Sequence, residues 1–440
     1  MKRRTFIKNT TLTGLGITTF GLLGLNGTVL HGNNLKVNGQ RIENRINELA
    51  KFGQDENGHG YRVAYTTGDI EARAWFVQLM KNAGLNPTID NGGNIIGKRK
   101  GKKPLLKPIA FGSHIDMVPD GGNYDGTLGS LSALEVIEVL NENKFVTEHP
   151  LEVIIFANEE GGLIGSRAMV GQLTDDGLEQ ISQSGLVMRD GINAIGGKPD
   201  DLKNFIRKKG DMHAFLELHI EQGGILESEN LQIGIVEGIV GILDCEITIG
   251  GFANHAGTTP MKLRKDALLA ASKLIIEVNE VINSVLGNQV GTVGKIQAFP
   301  GAYNVVPGKA ILGLEIRDLS WDKIEMLFAA IEKRADTIAV NTKTKIIFTR
   351  EPSFTKPALT DKLLQKKIFE SANSLGLKTK LMQSGAGHDS QQMATIAPVG
   401  MIFVPSVGGI SHSPLEFTKT EDMTNGANVL LQTILSVDRE

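Results

Sequence analysis

The sequence contains a single cysteine, Cys245, among its 440 residues. One thiol excludes an intramolecular disulfide and a cysteine-rich metal site. Because Cys245 lies in an alternating, strand-like run, we predict a buried and unreactive thiol. The chain also lacks a basic excess, with a formal net charge of −3. Nucleic-acid-binding domains normally carry a basic stripe, so no nucleic-acid partner is expected.

The first 32 residues differ in composition from the rest of the chain. The basic opening "MKRRTFIK" is followed by an uncharged stretch rich in Gly, Thr and Leu. This composition is typical of an export signal, and the order Arg3-Arg4-Thr-Phe6 resembles a twin-arginine signal. We therefore predict that residues 1–32 direct export, to the periplasm, and we expect no stable membrane partner. An amphipathic helix is disfavoured because the stretch has no polar face, whereas a retained membrane anchor remains the alternative.

The remainder of the chain predicts two domains, one inserted in the other. Residues 36–240 and 351–440 alternate between strand and helix patterns, which indicates an α/β domain with a mixed, largely parallel sheet flanked by helices. Residues 241–350 follow the order β-α-β-β-α-β, which is the ferredoxin-like arrangement. We find no internal repeat and no low-complexity segment beyond the first 32 residues.

Nine histidines divide into two groups by context. His31 lies in the predicted leader, His59 has no partner apparent from sequence, and His149 and His213 are predicted to be solvated. The others follow apolar strands or stand in glycine-rich loops, where functional groups of a parallel sheet gather; these are His114, His219, His255, His388 and His412.

Three of these histidines, His114, His219 and His412, are candidates for a shared site with nearby carboxylates. In "FGSHIDMVPDGG", residues two apart on an extended segment point the same way, so His114 and Asp116 can meet one site, although a satisfied surface pair is equally compatible. Asp125 follows in "GGNYDG", where a turn or a helix N-cap is the alternative explanation. With His219 and His412, these residues fit a two-metal site that has nitrogen and oxygen ligands.

The adjacent Glu159 and Glu160 end a strongly apolar strand pattern, "LEVIIFANEE". Burying two neighbouring carboxylates is costly because each loses water and they repel each other. A metal ion and a water molecule, with one carboxylate for each, would offset that cost.

These motifs resemble a known family. The segments "GSHIDMVPDGGNYDG", "NEEG", "ELHIEQG", "GFANHAGTTPM", "NVVPG" and "GISHSP" resemble the dinuclear-metal amidohydrolases of the M20 peptidase superfamily. The likeness runs from about residue 40 to the C-terminus and is specific to the branch of N-carbamoyl-L-amino-acid hydrolases, β-ureidopropionases and allantoate amidohydrolases. It implies that peptidases of the superfamily usually carry an aspartate where this chain has His219.

The resemblance implies a role for each motif residue. Asp125 would bridge two divalent ions (zinc, manganese, cobalt or nickel), Asp116 would orient His114, and Glu159 would be the general base. His255 would act on the oxyanion across a homodimer interface formed by the inserted domain, which would also act as a lid. The remaining implied ligands are His114, Glu160, His219 and His412, and the implied substrate-binding residues are Gln222, Asn304, Arg317 and His388.

Several of these residues could also have a purely structural role. His255 can cap the Gly-Thr-Thr turn that follows it, Arg317 can be a surface charge on a strand, and His388 can line the pocket or support a ligand from behind. The chain departs from the family pattern at Glu315, where relatives often have aspartate, and in the "EEGGLIGSRAMVG" loop, which lacks an aromatic residue common in relatives. Both departures lie near the expected substrate.

We therefore predict a metal-dependent hydrolase of linear amides or ureides that takes N-carbamoyl-L-amino acids or a related ureido acid such as allantoate or β-ureidopropionate. An aminoacylase or dipeptidase with the same centre is the first alternative. A non-catalytic, exported solute-binding protein is an alternative of another class, which the intact Glu159 disfavours.

Overall fold

The computed structural model describes residues 35–351 and 355–439. The predicted leader, residues 1–32, lies outside the described residues. Within the described residues, no helix combines the length and the apolar character that crossing a bilayer requires.

The helices and strands alternate along most of the described chain. The α-helices are α1 (Gly39–Leu49), α2 (Thr67–Asn82), α3 (Thr127–Glu142), α4 (Ile164–Met169), α5 (Asp175–Leu178), α6 (Met188–Ala194), α7 (Ile225–Ser228), α8 (Ala267–Asn283), α9 (Trp321–Thr342), α10 (Lys362–Ser374), α11 (Asp389–Met393) and α12 (Thr420–Val437). Short 3₁₀ helices span Pro199–Phe205, Met261–Leu263 and Val407–Gly409. The strands are β1 (Asn86–Ile89), β2 (Ile95–Arg99), β3 (Ile109–His114), β4 (Leu151–Phe156), β5 (Ala214–Ile220), β6 (Ile233–Ile239), β7 (Gly241–Gly250), β8 (Asn254–His255), β9 (Val290–Phe299), β10 (Val305–Val306), β11 (Lys309–Asp318), β12 (Lys345–Arg350), β13 (Ala358–Leu359), β14 (Thr379–Ser384) and β15 (Val399–Val404).

The larger sheet has nine strands within the described residues, in the order β1-β2-β4-β3-β5-β15-β6-β13, with β14 also paired to β6. Its centre, β4-β3-β5-β15, is parallel, and the flanking pairs β1/β2, β2/β4 and β15/β6 are antiparallel. Every residue of the four central strands is buried, as expected for a sheet covered on both faces. The predicted fold class is confirmed.

Helices cover the larger sheet and leave one strand edge for polar residues. α1, α3, α10 and α12 contribute to the main hydrophobic core on one face, and a smaller cluster around Phe156, Phe215 and Met393 covers the other. Parallel strands end at the same edge. The loops after β3, β4 and β15 therefore converge with the end of β5, and this edge carries the motif residues.

A second sheet of four antiparallel strands, β12-β7-β11-β9, packs on α8 and α9. Residues of β7 and β11 alternate between buried and half-buried positions because the helices cover a single face. The strand and helix order matches the ferredoxin-like pattern expected for residues 241–350. Cys245 lies on the helix-covered face and is buried and free, as predicted.

The second sheet joins the rest of the chain at one end of its strands. Ile242, at the start of β7, pairs with Thr355, and Arg317, near the end of β11, donates from Nη1 to the backbone oxygen of Gly385 over 2.6 Å. Because β7 and β11 are antiparallel, their other ends, Gly250 and Lys309, point away from this junction.

One prediction about the histidines is wrong. His149 is buried, with its Nδ1 2.7 Å from the backbone oxygen of Lys107 and its backbone N–H donating to Asp438. Its ring packs 4.4 Å from that of His213. The local sequence is polar, but the C-terminal end of α12 closes over this loop, which nearby sequence does not reveal.

Candidate metal centre and active site

Asp125 lies at the centre of the predicted site. Its Oδ1 is 3.6 Å from His114 Nε2 and 3.1 Å from His219 Nε2, and its Oδ2 is 3.3 Å from His412 Nε2. The three histidines come from the ends of β3 and β5 and from the loop after β15, so the convergence depends on the order of strands in the sheet.

A glycine shapes the loop between Asp125 and α3. Gly126 adopts a φ of 61°, and a Cβ at this position would lie 2.2 Å from His114 Nε2. α3 begins after Gly126 without a side-chain cap. Asp125 is therefore not a helix cap, and its carboxylate remains directed at the histidines.

Two groups of side chains that could hold a metal share Asp125. One contains His114, Asp125 and His219, the other Asp125, Glu160 and His412, and within each group the ligand atoms lie within 4.8 Å of one another. His114 Nε2 and Glu160 Oε1 are buried, and neither has a hydrogen-bond partner among the described residues. Orphaned buried polar atoms are rare unless an ion or ligand meets them. The residues therefore fit divalent cations.

The remaining ring nitrogens of the buried histidines point at backbone oxygens. His114 Nδ1 is 3.1 Å from the oxygen of Asp116, and His219 Nδ1 is 2.9 Å from that of Ile220. A carbonyl oxygen requires a protonated Nδ1, which leaves Nε2 unprotonated in the neutral ring, as a metal ligand requires. His114 Nε2 has no partner among the described residues, whereas His219 Nε2 accepts the N–H of Gly126 over 3.1 Å.

Asp116 also supports the two glutamates. Its carboxylate lies 3.7 Å from His114 Nδ1, and the ring N–H donates instead to the backbone oxygen of Asp116. Oδ1 and Oδ2 instead accept the backbone N–H groups of Glu159 and Glu160, over 3.3 and 3.2 Å. Asp116 thus contacts His114 through its backbone oxygen, while its carboxylate holds the Glu159-Glu160 turn.

Glu159 and Glu160 have different surroundings. Glu159 Oε2 is 3.7 Å from His114 Nε2, whereas Glu160 Oε2 is 3.5 Å from His412 Nε2. Burial raises the pKa of Glu159, His114 opposes this, and the charges of Glu160, Asp389 and Asp125 add to it, so its pKa lies well above the ordinary value. Burial and the charge of Asp125 raise the pKa of Glu160 to about 7.

The shared carboxylate has the opposite shift. Burial acts to raise the pKa of Asp125, but the neighbouring imidazoles of His114, His219 and His412 outweigh it and hold the pKa well below the ordinary value. The hydrogen bond to Asp125 in turn raises the pKa of His412 to about 9. Divalent cations held here would balance this concentration of negative charge.

Gln222 and His388 both contact the centre. Gln222 donates from Nε2 to Asp125 Oδ2 over 2.7 Å, and its Oε1 is buried with no hydrogen-bond partner among the described residues. His388 is buried, with Nε2 2.8 Å from Ser384 Oγ and its ring 4.5 Å from that of His219. His388 therefore lies against the ring of His219, one of the candidate ligands.

Arg317 lies at the junction of the two sheets, and its guanidinium group already makes hydrogen bonds within the chain. Nε and Nη2 donate to the two carboxylate oxygens of Glu315 over 2.7 and 2.8 Å, while Nη1 donates to Gly385. Glu315 is the residue at which the chain departs from the family pattern. The glutamate is long enough to bind the guanidinium through both oxygens.

His255 and Asn304 lie together at the other end of the second sheet. His255 pairs with Val305 in the short β8/β10 ribbon, and the backbone oxygen of Asn304 accepts the N–H of Ala256. His255 Nδ1 accepts the N–H groups of Gly257 and Thr258, so the imidazole caps its turn. That leaves Nε2 as the protonated nitrogen on an exposed ring.

Glu416 is a buried residue of this region that the sequence motifs did not single out. Its Oε1 accepts the N–H groups of Tyr124 and Asp125 over 2.9 and 3.0 Å, and its Oε2 lies 2.8 Å from Ser411 Oγ and 3.3 Å from His412 N. The sequence could have indicated Glu416 only through its position, four residues after His412 in the same short loop.

A third group near the centre is already saturated. Glu217, His219 and His388 lie close enough to share an ion. However, Glu217 Oε1 accepts Ser113 Oγ–H, and its Oε2 accepts both the N–H and the Oγ–H of Ser390. Its oxygens are committed to these donors, so we assign no ion there.

Comparison with known proteins agrees with this geometry. Residues 110–436 match the model of peptidase family M20/M25/M40. An N-carbamoyl-L-amino acid amidohydrolase of Geobacillus stearothermophilus is 39% identical over 403 residues, covering 90% of this chain and 98% of the relative. A ureidoglycolate hydrolase of Arabidopsis thaliana is 39% identical over 426 residues, covering 94% and 90%. The crystal structure of an amidase of the hydantoinase/carbamoylase family from Burkholderia multivorans has a TM-score of 0.87 at 36% identity, covering 92% of this chain and 99% of that one.

Fold, site and relatives together define a metal-dependent hydrolase that acts on amide C–N bonds. The chain belongs to peptidase family M20/M25/M40. The family resemblance seen in the motifs is thereby confirmed.

Proposed function

We propose that the protein hydrolyses the carbamoyl C–N bond of a ureido acid, an N-carbamoyl-L-amino acid or a related compound such as allantoate or β-ureidopropionate. The observation that carries this proposal is the pair of metal-binding groups on Asp125 with Glu159 beside them. The names of the relatives in Geobacillus stearothermophilus and Arabidopsis thaliana support a ureido substrate. One water molecule would convert an N-carbamoyl amino acid to the amino acid, ammonia and carbon dioxide.

Two divalent ions per subunit would be held by the residues of the two groups. His114 and His219 would hold one ion and Glu160 and His412 the other, and Asp125, which belongs to both groups, would be shared between them. When bound, the ions would polarise the scissile carbonyl and lower the pKa of the attacking water. Imidazole and carboxylate ligands suit zinc, manganese, cobalt or nickel.

Glu159 would move the proton. Its Oε2 is beside His114 but it belongs to neither metal-binding group, so its carboxylate is free to accept a proton from the attacking water. Cations nearby would lower the pKa that burial now raises. The same carboxyl would then give the proton to the departing nitrogen.

The substrate's carboxylate would bind at Arg317 and Asn304. A guanidinium fork suits a planar anion. Because Glu315 now accepts from Nε and Nη2 of Arg317, the substrate carboxylate would have to displace it. Gln222 Oε1, which lacks a partner among the described residues, is suited to accept a ureido N–H.

A homodimer would bring His255 to the site of the partner. Ten residues of β7 separate the junction near Ile242 from the end that leads to His255, a distance of about 30 Å for an extended strand. The described hydrogen bonds of His255 are all within residues 254–259. β9 is an edge strand with an unpaired side within the described residues, and Ile296 and Phe299 on it are half exposed. An open apolar edge supports pairing with a second copy.

Export remains part of the proposal. It rests on the Arg3-Arg4 motif and the uncharged stretch after it, and a twin-arginine pathway would deliver the enzyme already folded.

A substrate panel tests the proposed activity. Metal-depleted protein would be reconstituted with Zn²⁺, Mn²⁺, Co²⁺ or Ni²⁺ and given carbamoyl-α-amino acids, β-ureidopropionate, allantoate, ureidoglycolate, N-acetyl-amino acids and dipeptides. We expect ammonia release from one or more ureido acids. Turnover of peptides or acetyl-amino acids alone would overturn the proposal in favour of a peptidase or aminoacylase, and binding without turnover would favour a receptor. The comparisons favour neither alternative.

A further inference from the structure

Glu416 joins the two loops that supply the centre from distant parts of the sequence. Tyr124 and Asp125 follow β3, whereas Ser411 and His412 follow β15. The carboxylate lies between them, with Oε1 on the first loop and Oε2 on the second. It is 5% exposed, so water does not compete effectively for these hydrogen bonds.

The loops are shaped around this side chain. A Cβ at Gly122 would lie 2.3 Å from both Cβ and Oε1 of Glu416, so the glycine leaves room for the carboxylate. His412 has a φ of 52°, in the left-handed region that a residue with a side chain adopts only when its surroundings impose it. The acceptor of its N–H is Glu416.

The oxygens of Glu416 are already committed. Oε1 receives two backbone N–H groups, and Oε2 faces a third N–H and the hydroxyl of Ser411. That hydroxyl also lies 3.1 Å from Asp125 Oδ2, and its single proton can serve one acceptor at a time. Glu416 belongs to neither of the groups around Asp125 that could hold a metal, so it acts on the ligands and not as one.

We propose that Glu416 is a positioning residue that holds Asp125 and His412 at the spacing needed to bind one ion of the pair. The proposal rests on the two-ion centre proposed above. The group Asp125, Glu160 and His412 takes ligands from both clamped loops, whereas His114 and His219 stand at the ends of β3 and β5 and make no hydrogen bond to Glu416 among the described residues. Loss of the Glu416 carboxylate should therefore weaken binding of the ion held by Asp125, Glu160 and His412 far more than binding of the other ion.

The test measures ion uptake and needs no substrate. Chelator-treated wild type and Glu416→Gln would be titrated with Co²⁺, with equilibrium dialysis for stoichiometry and visible absorption for the coordination of each ion. We expect the wild type to bind two ions. The variant should bind the ion of the group containing Glu160 and His412 roughly 10- to 100-fold more weakly, the range for residues that orient metal ligands, and the other ion with a much smaller loss, because the two groups share Asp125. Glutamine replaces one acceptor oxygen with an NH₂ donor. Whichever oxygen is replaced, that donor would face N–H or O–H groups and could not replace the lost hydrogen bonds.

Asp438→Asn is the matched control. Asp438 is also 5% exposed and accepts two backbone N–H groups of a distant loop, those of Glu148 and His149, over 2.9 and 2.8 Å. Its loss should leave both ion affinities unchanged. If Glu416→Gln does not fold, Ser411→Ala removes a single donor from the same carboxylate and should weaken the same ion to a smaller extent.

Two ions in the wild type with unchanged uptake by the folded variants would overturn the role of Glu416 alone. Equal weakening of both ions would also overturn it, because the clamp would then have no preference for one group. Uptake of a single ion by the wild type would overturn the two-ion centre together with this role.

Discussion

At the scale of single residues, the neighbouring Glu159 and Glu160 are not equivalent. Both follow the buried strand β4, and Asp116 accepts both of their backbone N–H groups. The side chains then diverge, Glu160 toward His412 and Glu159 toward His114. One of the two groups around Asp125 that could hold a metal includes Glu160, and neither includes Glu159. One carboxylate can therefore be neutralised by a cation while the other exchanges a proton.

Glu159→Gln tests this division. Glutamine keeps the shape of the side chain and cannot accept a proton, so turnover should fall by roughly 10²- to 10⁴-fold, the usual contribution of a general base. Metal content, measured by atomic emission after dialysis, should stay near that of the wild type because Glu159 belongs to neither group. Glu160→Gln is the matched variant and should lose metal. Retained turnover in Glu159→Gln would contradict the assignment of the base.

At the scale of secondary-structure elements, the start of α3 fixes the position of two candidate ligands. α3 is nearly all buried beneath the larger sheet. Its first turn follows directly from Asp125, and Gly126 between them adopts a positive φ in contact with His114. The helix can thus approach the end of β3 closely only because this position has no side chain.

Gly126→Ala should disrupt this approach. The positive φ alone costs about 1–3 kcal/mol for a residue with a Cβ, and the methyl group would also collide with the His114 ring. We expect a lower midpoint of chemical denaturation and weaker Co²⁺ binding at the group containing His114. Gly294→Ala serves as the control, because a Cβ there meets nothing within 4 Å and φ is not positive. Equal denaturation midpoints and equal Co²⁺ affinities in the two variants would show that the contact between the start of α3 and His114 tolerates a side chain at position 126.

At the scale of the whole molecule, the second sheet separates residues that the proposed reaction needs together. Arg317 lies at the junction with the larger sheet, in contact with Gly385. His255 and Asn304 lie beyond the opposite ends of the same strands. Under the proposed function, one subunit would supply the two parts of a substrate site at the two ends of this second sheet, and a second copy would reunite them.

Mixing two inactive variants tests the proposed exchange between subunits. His255→Ala should be inactive with its metal retained, since His255 is not a ligand. Together with Glu159→Gln it should regain activity, because one site of each mixed dimer has Glu159 and receives His255 from the partner. With free exchange of subunits, roughly a quarter of wild-type turnover should return.

The double variant Glu159→Gln, His255→Ala supplies the control for that experiment. When it is mixed with either single variant, no dimer contains a site with Glu159 from one subunit and His255 from the other, so no activity should return. A mixture of the single variants that stays inactive, despite mixed dimers seen by native mass spectrometry, would contradict action across the interface.

Much of this architecture followed from local patterns. The alternation of strand and helix patterns predicted the larger sheet, and the order β-α-β-β-α-β in residues 241–350 predicted the second sheet. Burial of His149 and the clamp formed by Glu416 did not follow, because each depends on a segment hundreds of residues away.

What the sequence by itself determined is the chemistry: which histidines and carboxylates end buried strands, and a motif order that identifies the family. Only the tertiary structure decided how they combine. It directed Glu159 and Glu160 to different histidines, gave the Asp116 carboxylate to the glutamate backbone, and filled the fork of Arg317 with Glu315. The physical reason is that residue type and spacing set which bonds a side chain can make, whereas the distances among strands, loops and subunits select which bonds it does make.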